Sequence, residues 1–440
     1  MSETASNTTQ EPNTGPIPGN PGGMPDEIPP ASQMDLDAIN PVYARLFSEN
    51  RWQEYFERLR HEDPVHFNET PTTGRYWNLT KYEDIKRVDS DWQNFSSANG
   101  ITIGRPVDAE AGDGPFSNFK MFIAMDPPTH DVQRKTVTGV VAPTNLAKLE
   151  PLIRERTRSV LDSLPEGEAF NWVDKVSIEL TTMMLATLFD FPFEERRKLT
   201  FWSDAATTIP QPGAIVETGE EKRDAILGCL EEFTKLWEER KVNPGDDLVS
   251  MLAHGEDTKN MHPMEFLGNL MLLIVGGNDT TRNTMSGSVY ALFNQWPDQL
   301  AKLREKPELI PNMVAEIVRW QTPLAYMRRT ANHDCEIRDK QIKKGDQILM
   351  WYVSGNRDED VFENANVVDI ERANVRHHLS FGFGIHRCMG NRLAELQLRV
   401  LWEELLPRIE HIEVLAEPER TYSAFVKGYT HMPVKITRRK

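Results

Sequence analysis

Cys388 stands near the end of a run in which Phe381, Gly384, Cys388 and Gly390 spell F-x-x-G-x-x-x-C-x-G, with His386 two residues before the sulfur. Leu393, Leu396 and Val400 then fall at i, i+3 and i+7, so a helix starts just past the cysteine. A thiol leading into a helix N-terminus meets unpaired N–H groups and the positive end of the dipole, which favour thiolate. Glycines at 382, 384 and 390 let the backbone turn tightly and let a flat group approach. The chemistry on offer is an anionic sulfur presented to a planar, bulky electrophile.

A heme iron fits that description. A lone cysteine in an apolar segment is ordinarily a small buried hydrophobe, but four fixed positions and a helix onset outweigh that reading here. Zinc held by His377, His378, His386 and Cys388 would need tight ligand spacing and usually four ligands, and no second cysteine lies near. Gly382-x-Gly384-x-x-Arg387 lacks the strand–glycine–helix unit of a dinucleotide site.

A second constellation lies between Pro263 and Trp296, a stretch without proline. As one helix, roughly 33 residues would span ~50 Å. Its middle runs from Leu272 through Ile274 and Val275 to Gly276, Gly277, Asn278, Asp279 and Thr280. Two glycines inside a helix cost roughly 1 kcal/mol each against alanine, so they need a reason. Their missing side chains make room beside the helix, with apolar wall on one side and an acid and a hydroxyl at the gap. A third feature is Glu316 with Arg319, placed at i, i+3 on a helix from Asn312 to Gln321, where the two side chains can touch.

The elements that must position these residues are mostly helical. Residues 36–62 are expected to form a helix, and Pro64–Phe67 with Arg75–Leu79 a small hairpin. Residues 95–125 carry no clear period, and a loop that long inside a domain tends to be functional. Breaks fall at Pro165, Pro192, Pro210–Gly213 and Pro244–Gly245, and a further extended run covers Gln347–Val353. Residues 1–35, rich in proline and glycine, read as a disordered tail, and 36–440 as a single domain without an internal linker.

The net charge of −17 argues against nonspecific nucleic-acid binding and against an anionic membrane surface. Three cysteines without a C-x-x-C pair suit a reducing cytoplasm. No segment approaches the ~18 apolar residues of a membrane span, and the N-terminal stretch has no signal-peptide core, so a cytoplasmic protein without a membrane anchor is expected.

The cysteine run resembles the heme-binding loop of the cytochrome P-450 superfamily. The resemblance implies a mainly α fold with a minor β region, with heme b between the long central helix and the cysteine loop, and Cys388 as axial iron ligand. Phe381, Gly382 and Gly390 match the loop around the cofactor, and Gly276 the small residue on its opposite face. Asp279 and Thr280 match the acid–alcohol pair that passes protons to iron-bound O2, the co-substrate. His130 and Arg134 in D-P-P-x-H-x-x-x-R, together with Arg329 and His386, match the groups that hold the heme propionates. Glu316, Arg319 and Arg372 match the superfamily's buried ion network, which fixes the cysteine loop.

The segments around Phe122–Pro128, Leu272–Arg282, Arg319–Arg329 and Cys388–Gln397 look further like the bacterial alkane and fatty-acid ω-hydroxylase branch. That likeness implies oxygen insertion at the terminal carbon of linear chains, a hydrophobic small-molecule substrate, and NADH electrons delivered by a separate FAD ferredoxin reductase and iron–sulfur ferredoxin. Met121, Phe122, Ile274, Val275, Gly277, Leu324, Met327 and Phe425 are the expected walls of the substrate channel. Arg387 and Arg392 beside the cysteine are the expected landing place for an acidic ferredoxin. A compact terpene-like substrate is the alternative. A peroxide-driven hydroxylase fits less well, because such enzymes generally replace the acid–alcohol pair, and a gas carrier would need no proton relay.

Overall fold

The expected breaks divide the chain. Helices end at Ser163, Phe189, Thr207 and Val242, each just before or at a proline- or glycine-bearing turn. The computed structural model describes residues 27–104 and 120–440. Much of the loop expected at 95–125 therefore lies outside the described residues, as do residues 1–26 of the expected tail. Residues 27–35 do not behave as a tail. Ile28 and Ala31 are buried in one cluster with Trp52, Tyr55 and Phe56, and Arg58 Nη1 donates to the Met34 carbonyl at 2.6 Å.

The single helix expected over 36–62 is three pieces, a 3-10 turn Leu36–Ala38 and helices Ala44–Ser48 and Trp52–Glu62. Pro41 disfavours helix at the residue before it, and Asn50 adopts a left-handed φ of 55°, a conformation asparagine tolerates. The hairpin forms as Val65–Thr70 paired with Gly74–Leu79. A five-stranded sheet follows the order Val65–Thr70, Gly74–Leu79, Gln347–Met350, Met327–Ala331, Phe95–Ser96, with one parallel pair between the second and third strands. The third strand stops earlier than its apolar run, because the Trp351 carbonyl accepts from Ser354 and Gly355 and the chain turns helical at Tyr352–Gly355. An apolar run alone does not distinguish those outcomes.

Helix Pro263–Val289 runs through the interior and continues as a wider π-helical turn, Tyr290–Gln295, before Pro297. Buried polar side chains fasten it along its length. Asn269 Nδ2 donates to Gln133 and its Oδ1 accepts the Phe122 N–H, and Asn278 Oδ1 accepts from Thr181. Asn283 Oδ1 accepts the Tyr429 N–H. The cysteine helix Asn391–Arg408 begins three residues after Cys388. No helix of the described residues is long and apolar enough to cross a membrane.

The expected ion pair is a buried three-residue network. Arg319 Nε and Nη2 donate to the two Glu316 oxygens at 2.7 Å each, and Arg372 Nε reaches both at 3.2 Å. Arg319 Nη1 spends its hydrogens on the Asn356 and Ala365 carbonyls at 2.7 Å. Asn356 in turn accepts the Leu379 N–H at 2.7 Å and donates to Ser380 Oγ at 2.9 Å. Next in the chain is Phe381, whose carbonyl accepts the Cys388 N–H at 2.8 Å. The network thus reaches the cysteine through Asn356, Ser380 and Phe381. Glu316→Ala is expected to cost ~3–5 kcal/mol, because it strands two buried guanidiniums. Chemical denaturation of the purified protein checks this, and an unchanged midpoint would contradict it.

Candidate active site

Between the central helix and the cysteine loop lies a cavity of about 430 Å³, with mainly apolar walls. Cys388, Phe381, Gly382, His386 and Gly390 line it from the loop, and Val275, Gly276, Gly277, Asp279 and Thr280 from the helix. Among the described residues Cys388 is the cysteine that opens on it; Cys229 and Cys335 lie elsewhere.

The loop's shape depends on its glycines at two points. Gly382 and Gly384 have φ of 66° and 65°, the left-handed region that disfavours side chains. A Cβ on Gly384 would also sit 2.6 Å from the Asp89 carbonyl oxygen. Burial pushes the Cys388 thiol up, which corrects the expectation that the helix end alone favours thiolate. The Gly390 and Asn391 N–H groups and the charges of Arg134 and Arg387 oppose that push without overcoming it.

One end of the cavity collects unsatisfied polar atoms. The His130 and His386 rings lie 4.4 Å apart, edge to face. His130 Nδ1 is 2.8 Å from Asp131, while its Nε2, both His386 nitrogens and Arg329 Nε are buried without a partner. Burial and the neighbouring charges of Arg329, His130 and Arg134 pull His386 down to about 2, so its ring is neutral with an N–H to give. Arg134 lines the cavity and donates to the Arg387 carbonyl at 2.5 Å. Arg329 is held by Asp89 at 2.6 Å.

On the helix side, a Cβ on Gly276 would meet nothing within 4 Å, whereas one on Gly277 would come 2.8 Å from Leu185. Gly276 opens the gap, and Gly277 admits a neighbouring side chain. Thr280 Oγ1 donates to the Gly276 carbonyl at 2.8 Å. Asp279 is fully buried, accepting from Ser203 at 2.9 Å and Thr207 at 3.3 Å, with Arg282 at 3.2 Å. Burial pushes its carboxyl above the usual range although Arg282 and the two hydroxyls pull it down.

A family profile described as Cytochrome P450 matches residues 209–427. The chain is 36% identical over 404 residues to linalool 8-monooxygenase of Pseudomonas putida, covering 89% of this chain and 97% of that one. It is 31% identical to the methyl-branched lipid omega-hydroxylase of Mycobacterium tuberculosis, covering 86% and 90%. Among solved structures, Cytochrome P450-153 from Novosphingobium aromaticivorans superposes with a TM-score of 0.83 at 46% identity, covering 90% of this chain and 99% of that one. The chain is a cytochrome P450.

Cytochromes P450 are monooxygenases that carry heme on an axial cysteine thiolate and use O2. The residues of this P450 fit that cofactor. Cys388 opens its sulfur on the cavity, four buried nitrogens lack acceptors at one edge, and Gly276 leaves the opposite face bare. His130 stands in that edge cluster through its contact with His386.

Of the expected channel walls, Met121, Phe122, Val275, Gly277, Leu324, Met327 and Phe425 line the cavity of this P450. Ile274 does not. It is two residues from Gly276, about 200° round a helix of 3.6 residues per turn, and it packs into the buried cluster with Leu270 and Phe266. Leu185, Leu188, Ala206 and Ile226 line the cavity unforeseen, from helices whose sequence gives no local sign of it. Asp89 was equally hidden: it accepts from Arg329, from Tyr352 Oη at 2.8 Å and from the Phe383 N–H at 2.7 Å. Gly384→Ala is expected to lower heme occupancy severely, because the new methyl meets backbone and the required φ is strained by ~1–3 kcal/mol. The ratio of heme to polypeptide after purification measures this, and full occupancy would refute it.

Proposed function

We propose that this P450 inserts one oxygen atom of O2 into the terminal C–H bond of linear alkanes or fatty acids. The observation that carries this reading is the cavity itself. Met121, Phe122, Val275, Leu324, Met327 and Phe425 give it apolar walls around the gap between Gly276 and Cys388. A primary C–H bond is stronger than its secondary neighbours, so terminal attack requires walls that admit only the methyl end. The 46% identity to Cytochrome P450-153 and the likeness to a methyl-branched lipid omega-hydroxylase support the same reading.

In this proposal Cys388 ligates the iron, and Phe381, Gly382 and Gly390 border the cofactor on the cysteine side. His130, Arg134, Arg329 and His386 hold the propionates. The bound heme supplies the oxygen-activating chemistry. Asp279 and the Thr280 hydroxyl are the acid and the alcohol of the proposed proton relay, both lining the cavity beside Gly276. The apolar walls exclude water and orient the chain. Electrons come from NADH through an FAD ferredoxin reductase and an iron–sulfur ferredoxin. Arg387 and Arg392 are exposed beside the cysteine and are the charges proposed to receive an acidic carrier.

A compact terpene-like substrate is the second reading, favoured by the 36% identity to linalool 8-monooxygenase. Product analysis separates the two. With ferredoxin, reductase and NADH supplied, a linear alkane is expected to give mainly the terminal alcohol; mainly internal alcohols, or no product from a heme-loaded protein, would overturn the proposal. Asp279→Asn is expected to slow product formation by about 10²-fold or more, the usual contribution of a positioned acid–base group. Steady-state turnover at unchanged heme content measures it, and wild-type turnover would remove Asp279 from the relay.

A further inference from the structure

A fatty acid and an alkane share a methyl end and differ at the other. A carboxylate drawn toward an apolar cavity needs a cation and hydrogen bonds, or its desolvation outweighs the chain's burial. Most described cations near this cavity already have a use. Arg134 and Arg329 belong to the heme edge, and Arg282 is bound to Asp204 at 2.5 Å and Asp279 at 3.2 Å. Arg328 is enclosed by Gln347 at 2.7 Å and the Gly100 carbonyl.

Lys222 is different. It lies in the first turns of helix Gly219–Val242, one turn before Ile226, which lines the cavity. Residues at i and i+4 share a helix face, so Lys222 continues the wall that Ile226 begins, about 6 Å further along the axis. Its ammonium donates to the Thr208 carbonyl at 2.8 Å, immediately past Thr207, another lining residue. Lys222 and Thr208 lie just outside the cavity lining, each on an element that supplies a lining residue, Ile226 and Thr207. No carboxylate of the described residues forms an ion pair with it, although Glu220, Glu221 and Asp224 share its helix. Burial pulls the ammonium down to about 8 with no neighbouring charge to restore it.

We propose that Lys222 is the carboxylate-binding residue at the outer end of the substrate cavity, so that fatty acids are held head-out at Lys222 and methyl-in toward Cys388. This inference rests on the proposed terminal hydroxylation and adds the head group: a free carboxylate is preferred over an ester or a hydrocarbon of equal length. The three donors of the ammonium allow it to keep its bond to the Thr208 carbonyl while donating a second to one carboxylate oxygen. A charge-assisted hydrogen bond of this kind is among the stronger ones available to a protein.

The test is a spin-state titration of the heme-loaded protein with dodecanoic acid, methyl dodecanoate and dodecane. In the wild type the acid is expected to bind more tightly than the ester. Lys222→Met should lower the acid-to-ester affinity ratio about tenfold, close to the worth of one hydrogen bond to a charged group, and Lys222→Arg should retain it. Equal ratios in wild type and Lys222→Met, or an acid no tighter than its ester in the wild type, would overturn the assignment. Retention by Lys222→Arg guards against a merely misfolded methionine variant. The readout is binding, so it is independent of where oxygen enters. Internal alcohols from dodecane would defeat the terminal-hydroxylation reading and leave the ratio to decide on Lys222 alone.

Discussion

One carboxylate, Glu316, governs the half of the molecule that presents the cysteine. It is fully buried and faces two guanidiniums, so the cluster carries excess positive charge in a low-dielectric interior. Such a cluster is stable only if every remaining hydrogen finds an acceptor. Here the acceptors are main-chain carbonyls of Asn356, Glu363, Ala365 and Val367. That choice has a structural consequence. Residues 356–380 contain almost no regular secondary structure, and irregular backbone has no ladder of its own to satisfy its carbonyls. The arginines supply the missing donors, and in doing so they fix a long irregular segment as firmly as a strand. Arg357 illustrates the electropositive interior: burial and the nearby Arg319 push its pKa well down, and its guanidinium gives hydrogen bonds to the Trp320 carbonyl instead of to an acid.

The cavity beyond that scaffold is divided by polarity. At one edge, His130, His386 and Arg329 leave nitrogens without acceptors, a state that costs a folded protein ~1–3 kcal/mol per group. Such an arrangement is tolerable in a protein whose cofactor brings carboxylates. Asp89 keeps the edge from collapsing, since it binds Arg329 and the Phe383 N–H together and so sets the arginine relative to the cysteine loop. On the substrate side the walls are methyl- and ring-bearing side chains, which offer a hydrocarbon nothing directional. Selection there must come from shape, and any head-group selection must come from the rim.

Much of the chemistry was legible because it is local in sequence. Phe381 to Gly390 is a single loop, Gly276 to Thr280 a single turn and a half of helix, and Glu316 with Arg319 one turn. In each case spacing alone implies proximity, and the resemblance those motifs carry set the first two on facing sides of one pocket. The parts that escaped are those in which proximity is tertiary. Asp89 meets partners 240, 263 and 294 residues away, and nothing about an aspartate near a helix end announces that. Ile274 was misplaced for a different reason: an apolar stretch from 272 to 275 surrounds the helix, and only the register of its packing decides which side chain faces the gap. The early helix failed at Pro41 and Asn50, where local backbone preference overrides an amphipathic pattern. Residues 27–35 joined the core through Ile28 and Ala31, two apolar positions in a stretch whose composition reads as unfolded.

The two adjacent glycines of the central helix show how the fold reconciles reactivity with packing. A helix with one bare face would accept a flat cofactor, yet a bare patch on the neighbouring face would leave a void. Gly276 remains open, while the space left by Gly277 is taken by Leu185 from helix Glu179–Phe189. The same leucine lines the cavity, so the packing that removes the void also forms part of the cavity wall. Cavity shape and helix packing are then one constraint. A wider channel would require withdrawing Leu185 from Gly277, and the interior would have to refill that space or lose the dispersion contacts it now provides. Asp279, one turn below Val275 on this helix, is held by Ser203, Thr207 and Arg282, of which Thr207 also lines the cavity. The acid and the cavity wall therefore share a neighbour, and altering the wall at Thr207 would disturb Asp279.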